Sequence, residues 1–329
     1  MTLPRAAVLE DYQDEVRKLP YWNSLRGRVD VDFHNDAVKS DSELLSRLAP
    51  YQIVIPIRER TRFPAAVLDH LPKLELLALT GRNSGHVDVA AATRRGVLVV
   101  ETGGSGASAI EHTIGMIMAV VRHLPQEDRT MRTGRWQTTM GIDLAGKTLG
   151  VVGLGRIGGK IAAFGTFLGM KVLAWGPTLT AERAAAGGAT FVPLEKLMAD
   201  SDVVSLHTRL SDLTRGLITA RHLELMKPTA YLVNTARGPI VDEAALIKVL
   251  RERRIAGAAL DVFDEEPLPA HHPLLTLDNV VLTPHLGYVT RDAYDIFFKQ
   301  TVENIMAWLD GKTPSRALNP DAVKSRVKT

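Results

Sequence analysis

Short apolar runs alternate along the chain with segments in which apolar residues recur at helical spacing. Such runs, when turn residues bound them, predict buried strands. Within residues 1–100 they predict strands at 6–9, 29–33, 53–57, 74–79 and 97–100. The segments between them predict helices at 11–19, 41–48, 63–70 and 87–95. Ser40 or Asp41 is the expected cap of the second helix. This alternation indicates a parallel sheet with helices on both faces.

The alternation continues beyond residue 101. Strands are predicted at 149–152, 170–175, 203–207, 231–234, 257–260 and 280–282. Helices are predicted at 108–122, after a glycine-rich turn at 153–158, at 242–251 with Asp242 as its cap, and at 292–309. The last of these is amphipathic and is expected to pack back on the first part of the chain. The predicted fold is α/β, with two doubly wound parallel-sheet, Rossmann-like domains and boundaries at 1–100, 101–290 and 291–329.

Composition narrows the class of protein. The 329 residues suffice for two domains with sizeable cores, and 45% of them are hydrophobic. Lys and Arg are scattered and the formal charge is only +3, which argues against a nucleic-acid partner. Cysteine is absent, so disulfides, thiolate metal sites and cysteine nucleophiles are excluded. No apolar run has membrane-spanning length and no signal peptide is recognisable, so we expect a cytoplasmic protein without membrane or metal partners.

The glycine-rich turn has the spacing of a dinucleotide site. Gly153, Gly155 and Gly158 lie between a predicted strand and a predicted helix. In that context the glycines permit a tight turn, close approach of a pyrophosphate, and close packing of helix on strand. The helix N-terminus offers free N–H groups to the pyrophosphate. A glycine turn that serves packing alone is the alternative, and the flanking elements favour the dinucleotide.

Polar side chains follow three of the later predicted strands. The segment 235–238 contains Arg237, the segment 261–267 contains several carboxylates, and the segment 283–287 contains His285. Ligands of open parallel sheets bind at the carboxyl ends of the strands, so these groups are expected to converge. Arginine suits a carboxylate, histidine exchanges protons near neutral pH, and a carboxylate can fix the histidine. Each could alone be a surface or loop residue, but together they predict reduction of a 2-oxo acid.

Four motifs, in this order, give the chain a family resemblance. They are GLGRIG at 153–158, NTARGPIVDEAAL at 234–246, GAALDVFDEEPL at 257–268 and TPHLG at 283–287. The chain resembles the D-isomer-specific 2-hydroxyacid dehydrogenases over nearly its whole length. The resemblance implies an oxidoreductase that transfers a hydride between NAD(P)H and a 2-oxo acid or D-2-hydroxy acid. Glyoxylate, hydroxypyruvate, 3-phosphoglycerate and bulkier oxo acids remain open as substrates.

The resemblance also implies roles for individual residues. Arg237 would bind the substrate, Glu266 would be the acidic partner, and His285 the acid/base. The residues implied at the cofactor are Gly153, Gly155, Arg156, Ile157, Gly158, Trp175, His207, Thr208, Thr235, Ala236 and Asp261. Those implied at the substrate are Arg58, Asn83, Ser84 and Gly85. Residues 1–100 and 291–329 would form a substrate domain, with the active site in a cleft beside the cofactor domain. A homodimer formed by the cofactor domain, through the apolar helix at 110–121, is expected.

Two features depart from the family pattern. Members that prefer NAD carry an acid at the end of the second cofactor-domain strand, where this chain has Trp175-Gly176-Pro177-Thr178 with no adjacent arginine. NAD(H) and also NADP(H) are therefore expected to bind, with a modest preference for NADH. The loop at 82–88 is shorter than the family's glycine loop.

Two other functions compete with the oxo-acid reductase. One is an NAD(H)-sensing, corepressor-like binding module without significant turnover, which a turnover assay would separate. The other, formate oxidation, is disfavoured because that branch carries Gln where this chain has Glu266.

Overall fold

The computed structural model describes residues 2–82 and 84–324. The chain divides into two compact units, residues 1–105 with 290–329, and residues 106–289. The strands are β1 (Arg5–Leu9), β2 (Asp30–Phe33), β3 (Ile53–Pro56), β4 (Leu76–Ala78), β5 (Leu98–Val100), β6 (Thr148–Val152), β7 (Lys171–Trp175), β8 (Thr190–Phe191), β9 (Val203–Leu206), β10 (Tyr231–Asn234), β11 (Gly257–Leu260) and β12 (Val280–Leu282).

Helices alternate with these strands. They are α1 (Asp41–Leu48), α2 (Ala65–Leu68), α3 (Val89–Arg94), α4 (Ser108–Val121), α5 (Leu124–Arg132), α6 (Arg156–Phe167), α7 (Ala181–Ala186), α8 (Leu194–Asp200), α9 (Ala220–Glu224), α10 (Glu243–Arg251), α11 (Arg291–Leu309) and α12 (Asp321–Lys324). Ser40 caps α1, because its hydroxyl accepts a hydrogen bond from the N–H of Glu43.

The first unit is built on a parallel sheet of five strands in the order β2-β1-β3-β4-β5. All four residues of β3 are buried, as expected for a central strand covered on both faces. The long helix α11 belongs to this unit, as its amphipathic pattern predicts. Its Phe298 is fully buried and packs against Trp22, with ring centroids 5.9 Å apart. Burial of such a ring contributes about 2–3 kcal/mol to the free energy of folding.

The helix predicted at 11–19 is wrong. Only a 3-10 turn, Val16–Lys18, forms there, and a second one spans Pro20–Leu25. The buried carboxylate of Asp11 accepts hydrogen bonds from the N–H groups of Glu15 and Val16 and so replaces helical partners. Asp14 has a φ of 54°, which no right-handed helix accommodates.

The second unit contains a parallel sheet of seven strands in the order β12-β11-β10-β9-β6-β7-β8. The order reverses between β6 and β9, as in the dinucleotide-binding doubly wound fold. The last residues of six strands pair in one row across the sheet: Trp175, Val152, Leu206, Asn234, Leu260 and Leu282. Six loops therefore leave the sheet at one level, which places their side chains at a common edge.

Helix α4 covers one face of this sheet. Met116, Ile117, Val120 and Val121 are buried in a core that includes residues of β6, β7 and β10. The prediction of a buried helix here therefore holds for one face. In contrast, α5 was not predicted, although Pro125 near its first turn is a helix-start signal.

Within the described residues, no helix is long and apolar enough to cross a membrane, and no group of three or more His, Asp or Glu side chains could hold a metal ion.

Candidate active site

The glycine turn after β6 has a different packing constraint at each glycine. A Cβ on Gly153 would lie 2.7 Å from the backbone nitrogen of Thr208, and one on Gly158 would lie 2.0 Å from the carbonyl oxygen of Gly153. Gly153 also has a φ of 102°, which favours glycine. A Cβ on Gly155 would meet no atom within 4 Å. The turn is thus closed on the protein side and open above Gly155, at the N-terminus of α6.

The ends of the neighbouring strands adjoin this turn. The N–H of Gly153 donates to the carbonyl oxygen of Trp175 at 2.7 Å, and the N–H of His207 donates to that of Val152 at 2.7 Å. Thr208 is 8% exposed, and its Oγ1 is buried without a hydrogen-bond partner among the described residues. A buried hydroxyl without a partner suits a site that a polar ligand completes. These features fit a dinucleotide.

His207 is held in its neutral form. Although the residue keeps some solvent exposure, the packing around its imidazole lowers its pKa to about 4. Its Nε2 lies 2.8 Å from the hydroxyl of Ser205. At neutral pH this ring carries no positive charge and has no acidic proton to give. In this neutral form it can shape the cofactor site.

The turn after β10 positions Arg237. Asn234 is 2% exposed, and its side chain accepts from the N–H of Ala236 at 3.0 Å and donates to the carbonyl oxygen of Arg237 at 2.9 Å. A Cβ on Gly238 would lie 2.0 Å from the carbonyl carbon of Phe263. The Arg237 turn is therefore pressed directly against the loop that carries the carboxylates. Thr235 is tied to α4, since its hydroxyl lies 2.7 Å from that of Thr113.

The loop after β12 is anchored by a buried carboxylate. Asp261 is 1% exposed, and its Oδ1 accepts from the hydroxyl of Thr283 at 2.6 Å and the N–H of Leu286 at 2.7 Å. Its Oδ2 accepts from the N–H of Gly287 at 2.9 Å. His112 Nε2 on α4 lies 3.0 Å from Oδ1. The segment 283–287 is thus folded around one side chain.

These donors keep Asp261 ionised. Burial by itself raises the pKa of this carboxyl, but the hydrogen bonds from His112 and Thr283 and the backbone bond from Leu286 outweigh it and lower the pKa below its usual value. The ionised form therefore favours folding at any pH above the ordinary pKa of an aspartate. That contribution is lost as the pH falls through the lowered value.

His285 and Glu266 form a close pair on the loops that follow β12 and β11. His285 Nδ1 lies 2.6 Å from Glu266 Oε2, while Oε1 accepts from the N–H of Phe263 at 2.9 Å. The backbone of His285 has a φ of 52°, and its ring packs edge-on against Tyr288 at 5.2 Å. Because the carboxylate occupies Nδ1, Nε2 is the nitrogen that can exchange a proton with a substrate.

The residues predicted at the substrate lie in the first unit. Arg58 follows β3, and its Nη1 donates to the carbonyl oxygen of Thr80 at 3.1 Å. Its Nη2 lies 3.2 Å from the carboxylate of Glu59. Ser84 and Gly85 are in the loop after β4, where the carbonyl oxygen of Ser84 accepts from the N–H of Val87 at 2.9 Å. Asn83 lies outside the described residues. A substrate role for these positions stays a prediction.

Comparison with known proteins identifies the family. Residues 114–287 match the model for the D-isomer specific 2-hydroxyacid dehydrogenase, NAD binding domain. The glyoxylate reductase of Thermofilum pendens is 40% identical over 93% of this chain and 93% of its own. The D-3-phosphoglycerate dehydrogenase of Archaeoglobus fulgidus is 38% identical over 87% of this chain, but that alignment spans only 54% of its own length. A solved structure of a phosphoglycerate oxidoreductase from Vibrio cholerae matches with a TM-score of 0.89 and 40% identity, over 94% of this chain and 99% of that one.

The chain belongs to the D-isomer-specific 2-hydroxyacid dehydrogenase family. The predicted family, fold class and oxidoreductase class are confirmed. The predicted cofactor, NAD(H) with NADP(H) as the alternative, is confirmed, and solved structures similar to this chain contain each of them. A D-lactate dehydrogenase from Aquifex aeolicus carries NAD (TM-score 0.76, 27% identity, 97% of this chain and 98% of that one). An acyclic imino acid reductase carries NADPH (TM-score 0.74, 28% identity, 95% of this chain and 99% of that one).

Sequence reasoning missed the network around Asp261. The structure pairs His112 with Asp261 and places the Nε2 of His112 3.1 Å from the hydroxyl of Thr283, a contact that no motif in the sequence indicated. The signal that could have revealed this is the run of donors in Thr283 and the N–H groups that follow it. A buried carboxylate after a central strand needs such donors.

Two adjacent glycines of α6 provide a matched test of the glycine turn. Gly158→Ala should destabilise the protein and weaken NADH binding at least tenfold, because its Cβ would collide with the carbonyl of Gly153. Gly159→Ala should leave binding unchanged and the melting temperature equal or higher, since a Cβ there meets no atom within 4 Å and alanine favours a helix. Thermal unfolding and fluorescence titration with NADH measure both. Equal behaviour of the two variants would contradict the assigned close packing.

Proposed function

We propose that the protein reduces a small 2-oxo acid to the D-2-hydroxy acid and can run in reverse, with His285 as the acid/base. The observation that carries this proposal is the 2.6 Å pair of His285 and Glu266 on the sheet edge that holds the glycine turn. A histidine that a carboxylate holds in place beside a dinucleotide site can exchange a proton with a carbonyl oxygen.

In the proposed reaction a 2-oxo acid, a reduced nicotinamide cofactor and a proton give the hydroxy acid and the oxidised cofactor. When bound, the nicotinamide supplies the hydride to the carbonyl carbon. Arg237 binds the substrate carboxylate through its fork of donors and polarises the carbonyl. His285 gives the Nε2 proton to the carbonyl oxygen, and Glu266 stabilises the charged imidazolium before that transfer. Desolvation lowers the pKa of His207 to about 4, so its ring is uncharged at neutral pH, which favours His285 as the donor.

A small, unphosphorylated substrate is favoured within this class. The long alignment with a glyoxylate reductase supports it, since it covers 93% of both chains. The guanidinium of Arg58 is already engaged by Thr80 and Glu59, and Arg60 stacks on the ring of Tyr12 at 4.5 Å. Nothing in the comparisons favours the corepressor-like alternative.

The substitutions that test this proposal concern the histidine–glutamate pair. With glyoxylate and hydroxypyruvate as substrates, His285→Ala should lower kcat by about a hundredfold or more, the usual scale of general acid catalysis. Glu266→Gln should also lower kcat, because the amide cannot stabilise the imidazolium. His271→Ala, an exposed histidine on the same stretch of chain, is the matched control and should keep kcat within about twofold of the native value. Absorbance of the reduced cofactor reports all three rates.

Near-native turnover of His285→Ala on the best substrate would show that another group donates the proton. Failure of the native protein to reduce any 2-oxo acid, while it still binds NADH, would favour the binding-module alternative instead.

We further propose a homodimer formed by the second unit. The apolar side chains of α4 are mostly used within the unit, so the segment after it is the better candidate for the interface. Its Leu124, Met131, Trp136 and Met140 are 53%, 58%, 71% and 91% exposed. Large apolar side chains exposed to this extent, within one stretch of chain, mark protein interfaces.

The cytoplasm is the proposed compartment, since a chain without cysteine suits a reducing environment.

Sedimentation should therefore show a dimer at micromolar concentration. Trp136→Asp combined with Met140→Asp should convert it to a monomer, because two charges would be buried without partners. Leu213→Asp is the control, since Leu213 is 77% exposed but lies in another loop, and it should leave the dimer intact. A native protein that sediments as a monomer would rule the proposal out.

A further inference from the structure

The turn that follows β7 lacks the acid that selects NAD. Gly176 is buried, and the N–H of Leu179 donates to its carbonyl oxygen at 3.1 Å, which closes a tight turn. The turn adjoins the dinucleotide site, because the Cβ position of Gly176 is 3.8 Å from the Cα of Gly153. In doubly wound dinucleotide domains an acid about 20 residues beyond the glycine motif binds the ribose hydroxyls and repels a 2′-phosphate. This chain has no side chain at that point.

An arginine is folded back onto the same turn. Arg183 lies in the first turn of α7, and its Nη1 donates to the carbonyl oxygen of Thr178 at 2.8 Å. Its backbone N–H bonds to the hydroxyl of Thr180 at 3.3 Å, which fixes its place in the helix. The residue is exposed and forms no ion pair among the described residues. A guanidinium has five N–H donors, so one carbonyl contact leaves most of them for a ligand.

The carboxylate of the preceding residue forms no ion pair with this arginine in the described part of the chain. Glu182 precedes it, and hydrogen bonds from its own backbone N–H and from the Thr180 hydroxyl lower the pKa of its carboxyl. That carboxylate is thus engaged at the start of α7. The turn itself, residues 175–181, contains no acid at all. Two charged side chains of the described structure bond to this turn: the carboxylate of Glu182 at the Thr180 hydroxyl, and the guanidinium of Arg183 at the carbonyl oxygen of Thr178.

We propose that Arg183 binds the 2′-phosphate of NADP(H) and makes this protein prefer NADPH to NADH. A phosphate forms charge-assisted, bidentate hydrogen bonds with a guanidinium, whereas a ribose hydroxyl gains much less from the same group. The missing acid removes the element that would repel the phosphate. This inference rests on the cofactor site of the proposed function, and it replaces the modest NADH preference expected from the sequence. The sequence showed no arginine adjacent to Gly176, because Arg183 reaches the turn only through the fold.

Equilibrium binding tests the inference without any turnover. Titrations of the full-length protein by calorimetry should give a lower Kd for NADPH than for NADH, by about tenfold or more. Arg183→Gln should raise the Kd for NADPH about 10- to 100-fold and leave that for NADH within about twofold. Lys171→Gln removes a cation from the opposite end of β7 and is the matched control, with both Kd values unchanged. The fragments 2′,5′-ADP and 5′-AMP should repeat the pattern, which assigns it to the 2′-phosphate.

A second variant tests the inference independently, in case Arg183→Gln impairs folding. Gly176→Asp places a carboxylate at the turn, where its Cβ meets Leu179 at an ordinary 3.4 Å, and it should reverse the preference in favour of NADH. The inference is overturned if Arg183→Gln weakens both cofactors equally, or if the native protein binds NADH more tightly. These outcomes differ from failure of the proposed function, in which cofactors bind normally but no 2-oxo acid is reduced.

Discussion

The buried carboxylate of Asp261 is the interaction on which the site depends. A charge that is 1% exposed is tolerated only when donors surround it, and here they come from Thr283, Leu286, Gly287 and His112. Hydrogen bonds to a charged group contribute about 1.5–3 kcal/mol each. The loop at 283–287 is thereby fixed on the end of β11. Its His285 is held with a positive φ, within hydrogen-bonding distance of Glu266.

The register of the sheet positions the loops that form the site. Since the last residues of six parallel strands pair in one row, the loops that follow them start at the same level. Close backbone contacts then bring neighbouring loops together: Gly153 against Thr208, and Gly238 against Phe263. Glycine is required at these points because any Cβ would overlap backbone atoms of the next loop. The dinucleotide turn, the arginine and the histidine–glutamate pair thus share one edge of a single rigid sheet.

The sequence was sufficient for the parts that depend on local pattern. The strands at 231–234, 257–260 and 280–282 match β10, β11 and β12, since continuous apolar runs bounded by turn residues leave few alternatives. It failed where a side chain overrides the backbone pattern, as Asp11 does in the wrongly predicted helix at 11–19. It also missed pairings between residues distant in the chain. His112 with Asp261, and the guanidinium of Arg183 over Thr178, follow from tertiary contacts that no spacing rule encodes.

The central claim is that this edge transfers a hydride to a 2-oxo acid with one handedness. It is tested most directly by reducing glyoxylate's larger analogue, hydroxypyruvate, with a cofactor deuterated at the transferable C4 position. Mass spectrometry and chiral chromatography then report the label and the configuration at C2 of the product. The account predicts one deuterium at C2 and only the D-hydroxy acid. A product that takes this hydrogen from water, or that contains the L-hydroxy acid, would contradict it.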